Sequence, residues 1–215
     1  MGGAAITEMN ARLSPPGCAV QDLVFEVRGQ TLPADYRHAL RDAIAGALPW
    51  FQDEPAAAIH PLKSARGDDG RLLLAARTRL VLRVPVSRHA EAAKLSGQVL
   101  EMGDTRITCG GATGRPLLAH GTVYAHLVSG NIDDESGFMT AMRAELEALG
   151  IRGEVICGRS QSIGEGTRRL QGFSVMAHGL APDASLLLQA RGTGSDMKLG
   201  CGIFVPHRSA AAVGG

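Results

Sequence analysis

The chain has 215 residues and a formal net charge of +1, and 45% of its residues are hydrophobic. This length accommodates one large domain, or two domains of about 100 residues each, around an ordinary apolar core. No run of about 18 apolar residues is present, which argues against a membrane span, and the first twenty residues lack the apolar segment of a secretion signal, which argues against secretion; a cytoplasmic protein is therefore expected.

The first half of the chain opens with alternating apolar residues that predict a strand at residues 22–28. An apolar stripe at helical spacing predicts a helix at residues 33–48, which Pro49 ends. A second, short helix is predicted at residues 87–95. Further strands of this half are predicted at residues 58–62, 71–76, 79–84, 98–102 and 105–109.

The second half repeats this order. Its predicted strands lie at residues 122–128, 154–157, 170–177 and 199–205, and its predicted helices at residues 134–149 and 182–190. Each half therefore has the β-α-β-β-α-β order of a ferredoxin-like fold, with extra hairpin material in the first. The sequence predicts an α+β protein of two tandem ferredoxin-like (RRM-like) domains joined near residues 110–120. The predicted parts are a disordered leader at 1–20, domains at 21–112 and 113–207, and a flexible tail at 208–215.

A glycine-rich stretch connects the last predicted helix to the last predicted strand. It contains two basic residues and four glycines: Arg191, Lys198, Gly192, Gly194, Gly200 and Gly202. It fits neither a Walker loop nor a dinucleotide fingerprint, because both of those open a helix. Glycine lets backbone N–H groups approach an anion closely, so the stretch predicts a phosphate-binding loop. A glycine-rich turn without a ligand is the alternative.

Two histidines are candidates for acid–base chemistry. His38 lies between Arg37 and Arg41 near the start of the first predicted helix, where cations and the helix dipole would hold an anion beside an imidazole that titrates near neutral pH. A solvated helix face is the alternative interpretation. His60 lies between apolar neighbours, and a core-edge histidine bonded to the backbone is its default interpretation.

A polar segment at residues 158–169 is predicted to form a hairpin tip. Its candidate RNA-binding residues are Arg159, Ser160, Gln161, Ser162, Arg168 and Arg169. Arginine and glutamine bind base edges, and serine and arginine bind phosphates, although an ordinary hairpin loop would have the same composition.

Four cysteines, Cys18, Cys109, Cys157 and Cys201, are widely spaced, and the chain has no Cys-x-x-Cys or His-x-x-x-His pair. They are expected to be reduced thiols, and no metal site is predicted. Only three of the 22 basic residues are lysines. This preference for arginine is compatible with RNA binding, and a biased genome composition explains it equally well.

Together these features resemble one family, the CRISPR-associated precursor-RNA endoribonucleases of the RAMP superfamily. The likeness covers residues 22–206 and is carried by the spacing of the loop glycines before Ile203-Phe204-Val205-Pro206. Residues 27–50 and 59–61 are similar to the myxobacterial-type subgroup. The Arg-Ser-Gln-Ser-x-Gly segment at 159–164 resembles instead the hairpin of the type I-F member.

The resemblance implies metal-independent cleavage of a CRISPR repeat stem-loop. A 2′-hydroxyl attacks the adjacent phosphate, leaving a 2′,3′-cyclic phosphate and a 5′-hydroxyl, and the enzyme often stays on the product hairpin. A histidine on the first helix commonly acts as the base, a place that His38 matches. In the myxobacterial-type subgroup this histidine more often stands where Tyr36 is, so Tyr36 and His60 are the next candidates. Arg37 or Arg41 would stabilise the phosphorane charge.

The resemblance implies repeat RNA or its processed product as the partner, and neither a cofactor nor a membrane. The residues expected to hold the RNA are Arg28, Arg159, Ser160, Gln161, Ser162, Arg168, Arg169, Arg191, Gly192, Gly194, Lys198, Gly200 and Gly202. The alternative is a catalytically inactive RNA-binding subunit that works with other subunits of a CRISPR effector complex. A more distant alternative is an unrelated two-domain ligand-binding protein.

Overall fold

The computed structural model describes residues 20–67, 70–130, 134–164 and 169–207. The first half contains β1 (Val20–Arg28), β2 (Thr31–Leu32), α1 (Tyr36–Ala47), β3 (Ala58–Ile59), β4 (Ser64–Arg66), β5 (Leu72–Leu74), β6 (Arg79–Pro85), α2 (His89–Ala92), β7 (Val99–Met102) and β8 (Thr105–Pro116). The second half contains β9 (Thr122–Ser129), α3 (Glu135–Ala148), β10 (Glu154–Ile163), β11 (Leu170–His178), α4 (Pro182–Arg191) and β12 (Val205–Pro206).

The chain forms two consecutive ferredoxin-like units, each built on an antiparallel sheet. The first sheet has the strand order β3-β6-β1-β8-β7, and the second has the order β10-β11-β9-β12. A small sheet of order β2-β5-β4 is the extra hairpin material of the first half. In the second half the chain order is β-α-β-β-α-β, whereas in the first half α2 precedes both strands of the β7–β8 hairpin.

The two faces of β1 carry different residues, and this alternation explains how the first half folds. Leu23 and Phe25 are buried in one core with Leu40 and Ile44, which form the apolar stripe of α1. Because successive strand residues point to opposite faces, Asp22, Val24 and Glu26 lie on the other face of the sheet. That face, and not the face covered by α1, is therefore available to the second half.

Helix α3 shows why the second half folds as the sequence predicts. Asp134 caps its start by accepting a hydrogen bond from the Gly137 amide at 2.7 Å. Phe138, Met142 and Leu146 follow at i, i+4 and i+8 and are buried in the second core. Gly150, at φ +69°, follows the helix end, because glycine adopts the left-handed conformation without penalty.

Two predictions from the sequence were wrong in their bounds. The strand predicted at residues 199–205 is a 3-10 turn at Met197–Leu199 and a strand of two residues, because Gly200 and Gly202 have φ values of +82° and +65°. The junction predicted near residues 110–120 is mostly strand, since β8 continues to Pro116 beside β1. Residues 117–121 form the chain segment that connects β8 to β9.

Some predictions lie outside the described residues. The leader at 1–19, the tail at 208–215 and Arg168 belong to this group. Among the described residues, no helix has the length and apolar character that crossing a membrane requires. Within the same ranges, no three side chains of His, Cys, Asp or Glu are close enough together to hold a metal ion.

Candidate active site and nucleic-acid interface

Arg83 of β6 joins the two halves. Its side chain is only 3% exposed, and its Nη1 donates to the carbonyl oxygens of Gln189 at 2.7 Å and Phe204 at 2.9 Å. Both acceptors belong to the second half. A buried guanidinium that bonds to backbone carbonyls on another unit fixes the relative position of the two units, because leaving those groups unpaired would be costly.

Two residues predicted to take part in the site also form hydrogen bonds between the two halves. The Arg37 side chain is buried, and its Nη1 donates to the carbonyl oxygen of Leu199 at 2.6 Å. In the reverse direction, Lys198 Nζ donates to the carbonyl oxygen of Gln52 at 2.6 Å. Burial lowers the pKa of Lys198. In this structure both cations hold the loop after α4 against α1 and the turn that follows it.

Asp22 is a buried carboxylate at this interface between the two halves. Its side chain is 5% exposed and accepts from Arg83 Nε at 2.8 Å and from Arg115 Nη2 at 3.0 Å. His60 Nε2 lies 3.2 Å from Asp22 Oδ1. Burial alone would raise the pKa of Asp22, but the hydrogen bond from His60 and the charge of Arg83 hold that pKa far below its usual range.

An open cleft of about 650 Å³ lies between the two sheets, and we refer to it as the central cleft. Its first-half wall includes Val24 of β1, Val81 of β6 and Arg115 of β8, and its second-half wall includes Tyr124 and His126 of β9. The remaining residues that line it are His60, Pro61, Leu62, Lys63, Arg77, Arg79, Gly200, Ile203 and Val205.

The central cleft is positively charged. Lys63, Arg77, Arg79 and Arg115 line it, and no carboxylate is among the described residues of its wall. Arg79 forms an ion pair with Glu26, whose Oε1 is 3.9 Å from Nη2, and the two side chains are 40% and 61% exposed. A cleft with this charge attracts a polyanion, and its apolar floor leaves space for sugar and base surfaces.

His60 lines the central cleft, and its side chain is held in a fixed orientation. It follows β3, its amide donates to the carbonyl oxygen of Val81 at 2.9 Å, and its side chain is 12% exposed. Burial lowers the pKa of His60 below the ordinary 6.5, and the opposing effect of Asp22 does not restore it. The imidazole is therefore neutral near pH 7 and able to accept a proton.

The other two candidate bases are placed differently. Tyr36 is buried, its hydroxyl accepts from the Leu62 amide at 2.9 Å, and burial raises its pKa, which disfavours the phenolate. His38 Nδ1 lies 3.3 Å from Asp35 Oδ1, and the His38 side chain is 14% exposed. Arg41 donates from Nε and Nη2 to Asp42 Oδ1, at 2.8 Å and 2.7 Å.

The glycine-rich loop is bonded internally. The Thr193 amide donates to the carbonyl oxygen of Gly202 at 3.2 Å. The Gly202 amide donates to the carbonyl oxygen of Leu127 at 2.7 Å. The Gly194 amide donates to both carboxylate oxygens of Glu145 at 3.2 Å. The amides of Gly192, Leu199, Gly200 and Cys201 also have carbonyl acceptors within the chain. These amides are thus occupied, which differs from the free phosphate donors that the sequence predicted.

Close packing explains why this loop needs glycine. A Cβ at position 200 would lie 2.5 Å from Arg37 Nη1, and one at position 194 would lie 2.7 Å from the carbonyl oxygen of Ser129. A Cβ at position 202 would overlap the Thr193 carbonyl oxygen, and all three glycines have positive φ. The glycines let the loop lie against β9 and Arg37.

Replacing Gly202 by alanine is therefore expected to destabilise the protein. The left-handed conformation costs an alanine about 1–2 kcal/mol, and overpacking against Thr193 adds about 1–3 kcal/mol. Chemical denaturation would measure the loss. Gly46→Ala is the matched control, because a Cβ at position 46 would have no atom within 4 Å and helix interiors favour alanine by about 0.5–1 kcal/mol. Equal stability of the two variants would contradict this account.

Within the predicted hairpin, residues 158–163 belong to strand β10. Arg159 and Ser160 are exposed on β10, and Gln161 Nε2 donates to the carbonyl oxygen of His126 at 2.8 Å. This bond places the hairpin beside the central cleft. Ser162 Oγ accepts from Arg169 Nε at 2.5 Å.

Two further arginines are exposed away from the hairpin. Arg28 ends β1 opposite Thr108, and Arg191 ends α4. Neither is among the described residues that line the central cleft.

Several cleft residues were missed at the sequence level, above all Tyr124 and His126. A signal for them existed: they alternate with the buried residues Val123 and Ala125 on β9, so both belong to the strand face opposite the core. No comparable signal identified the basic residues Lys63, Arg77, Arg79 and Arg115. Their shared surface arises from strand pairing and from the docking of the two halves.

Comparisons with known proteins agree with this architecture. The Cas6 family model, described as "Cas6 Crispr", matches residues 21–209. The chain belongs to the Cas6 family. It is 30% identical over 193 residues to the CRISPR-associated endonuclease Cas6 of Myxococcus xanthus (strain DK1622), an alignment that covers 89% of this chain and 84% of that protein.

Two solved structures of RNA-binding relatives share the fold. A RAMP protein that binds different RNA substrates has a TM-score of 0.65 at 13% identity, covering 87% of this chain and 100% of that one. The CRISPR endoribonuclease Cse3, solved with a 19-nucleotide RNA, has a TM-score of 0.51 at 13% identity, covering 87% and 98%. Both similarities confirm the tandem ferredoxin-like fold of this Cas6 chain.

Proposed function

We propose that this protein is a metal-independent endoribonuclease that matures CRISPR RNA by cutting the stem-loop of each repeat. One observation carries the proposal: in a chain of the Cas6 family, a neutral, carboxylate-bound histidine lines a basic cleft between two ferredoxin-like units. The name of the Myxococcus relative, an endonuclease, and the RNA complex of Cse3 support the reaction class and the substrate.

The RNA would enter the central cleft with its backbone against the basic side chains. Lys63, Arg77, Arg79 and Arg115 are the proposed phosphate contacts, since arginine and lysine dominate contacts to the nucleic-acid backbone. The stem would continue over β10, where Arg159, Ser160 and Ser162 are exposed, and over Arg169, which is exposed directly before β11. Arg168 is expected to join this group.

His60 is the proposed acid–base residue of the reaction. Its neutral imidazole takes the proton of the 2′-hydroxyl as that oxygen forms a bond to the adjacent phosphorus. The bond from phosphorus to the 5′-oxygen breaks, this oxygen takes up a proton from water, and the products are a 2′,3′-cyclic phosphate and a 5′-hydroxyl. Arg115 is placed to stabilise the charge of the phosphorane, because 57% of its side chain is exposed beside His60.

His38 is the second candidate base, reversing the order expected from sequence. It lies on α1, next to Arg37, which bonds to the glycine-rich loop, but its partner is Asp35 and it is not among the described residues of the central cleft. Tyr36 comes third because its hydroxyl is occupied by a backbone amide.

The proposal is tested by incubating the purified protein with a repeat RNA of its host in EDTA and identifying the new ends. We expect one cut, a 2′,3′-cyclic phosphate on the 5′ fragment and a 5′-hydroxyl on the other, with the hairpin product still bound. RNA binding without any cut would identify the inactive RNA-binding subunit instead. Failure to bind or cut the RNA would reject both functions.

Two finer assignments complete the proposal. The similarity to the Myxococcus protein supports membership of the myxobacterial-type subgroup. We further propose that the two units are two RNA-binding domains and that they meet at residues 117–121, not at the predicted boundary between 112 and 113, because β8 ends at Pro116 and β9 begins at Thr122.

A further inference from the structure

We propose that Asp22 is a positioning residue for the cleavage reaction: it fixes the orientation and tautomer of His60 and holds Arg115 at the edge of the central cleft. This inference rests on the proposed function, in which His60 is the acid–base residue. Nothing in the sequence pointed to Asp22, since it is one polar residue in the first predicted strand.

The geometry places one carboxylate among three nitrogen donors from different elements. Asp22 Oδ1 is 3.2 Å from His60 Nε2 and 2.8 Å from Arg83 Nε, while Oδ2 is 3.0 Å from Arg115 Nη2. The donors come from the segment after β3, from β6 and from β8. Asp22 itself is 5% exposed, so solvent competes little for these bonds.

This arrangement selects one tautomer of His60. An ionised carboxylate only accepts hydrogen bonds, so the proton of the neutral imidazole lies on Nε2 and is donated to Asp22. Nδ1 is then the nitrogen that can take a proton from a substrate hydroxyl. In serine proteases a buried aspartate has this role toward histidine, and its loss reduces the rate without removing the histidine.

Asp22 also couples the base to the phosphate-binding charge. Arg115 is 57% exposed, yet its Nη2 is held by the buried carboxylate, so the guanidinium is fixed at the cleft surface. Arg83 donates to the other carboxylate oxygen, Oδ1, from Nε at 2.8 Å and bonds to Gln189 O and Phe204 O of the second half. The position of His60 therefore depends on correct docking of the two halves.

The charged groups that face His60 determine how its titration responds to Asp22. Asp22 raises the pKa of His60, whereas Arg83 and Arg115 lower it, and Tyr124 and His126 line the opposite wall of the cleft. Removing the carboxylate charge while both arginines remain should lower the pKa of His60 further. The acidic limb of the rate profile would then move to lower pH.

The test compares Asp22→Asn with wild type in single-turnover cleavage at saturating protein. We expect the plateau rate to fall by about 10²-fold or more, as when an orienting aspartate is lost elsewhere. The acidic limb should shift to lower pH, and the RNA dissociation constant should change by no more than about threefold. A loss confined to RNA binding, with an unchanged plateau rate, would overturn the inference.

A double-mutant cycle separates positioning from a structural role. If Asp22 acts mainly through His60, Asp22→Asn slows the wild-type reaction much more than the residual reaction of His60→Ala, in which only its bond to Arg115 is left to lose. An equal slowing in both backgrounds would overturn the inference. Glu154→Gln is the matched control, because Glu154 of β10 pairs with His178 of β11 at 3.5 Å outside the central cleft and its replacement should leave the rate unchanged.

A measurement on wild type keeps the inference testable if Asp22→Asn does not fold. ¹⁵N spectra of the histidine rings, assigned with His60→Gln, should show His60 neutral at pH 7 with its proton on Nε2. A proton on Nδ1 would overturn the inference. If wild type cleaves and His60→Ala cleaves equally fast, the choice of base is wrong; if wild type does not cleave, the proposed function itself fails.

Discussion

Replacing His60 by alanine is expected to slow cleavage of the repeat RNA by about 10²–10⁴-fold, the usual contribution of a general acid or base. RNA binding should persist, because the basic side chains of the cleft remain. In wild type the cleavage rate should rise with pH to a plateau, with a midpoint below pH 6.5, since burial lowers the pKa of His60. Single-turnover rates across pH 5–8, with binding measured in parallel, check both statements.

His38→Ala and His178→Ala are the comparison variants for this experiment. His178 pairs with Glu154 outside the cleft and should have no effect on the rate. A large loss in His38→Ala with normal cleavage by His60→Ala would assign the base to α1, as the sequence alone suggested. Loss of RNA binding in His60→Ala would instead show that His60 holds the RNA.

Replacing Arg83 by alanine is expected to reduce the free energy of unfolding by about 3–5 kcal/mol, because one partner of a buried ion pair is removed. Asp22 would lose its most buried cation, and two carbonyl oxygens of the second half would lose their donor. Urea denaturation measures this loss. Arg71→Ala is the control: Arg71 pairs with Asp104 at the surface, where such pairs contribute about 0–1 kcal/mol.

The effect of Arg83→Ala should depend on pH in a defined direction. The pKa of Asp22 is depressed in the folded protein from an ordinary value of 3.8, so its stabilising contribution is complete above that value and is lost as pH falls below it. The difference between wild type and Arg83→Ala should therefore be constant near neutral pH and narrow below about pH 4. A constant difference down to pH 2 would contradict the pairing.

The repeated secondary structure could be predicted from local patterns. Helix α3 has an N-cap aspartate, an apolar stripe and a terminal glycine, all of which are short-range signals, and it was predicted to within about a residue at each end. The prediction of a strand at residues 199–205 was wrong because, in the sequence, Gly200 and Gly202 resemble part of an apolar run. Their positive φ values serve contacts to Arg37 and Thr193, which are distant in the chain.

The candidate site was only partly predictable. Arg37 and Lys198 were selected because basic residues near glycine and histidine suggest phosphate, but both donate to carbonyl oxygens across the domain boundary. Conversely, His126 was not predicted as a site residue, since no basic or nucleophilic neighbour lies near it in the chain. It enters the cleft because β9 faces the first sheet.

By itself the sequence determined the two ferredoxin-like units and the glycine-rich loop, because periodicity, caps and turn residues act over a few neighbours. The resemblance to RAMP endoribonucleases also rested on such short segments. Only the tertiary structure decided which charges meet. Asp22 is separated along the chain by 38 residues from His60, 61 from Arg83 and 93 from Arg115, and strand pairing brings the four together. Burial and the neighbouring charges then shift the pKa values of Asp22 and His60, which no local pattern encodes.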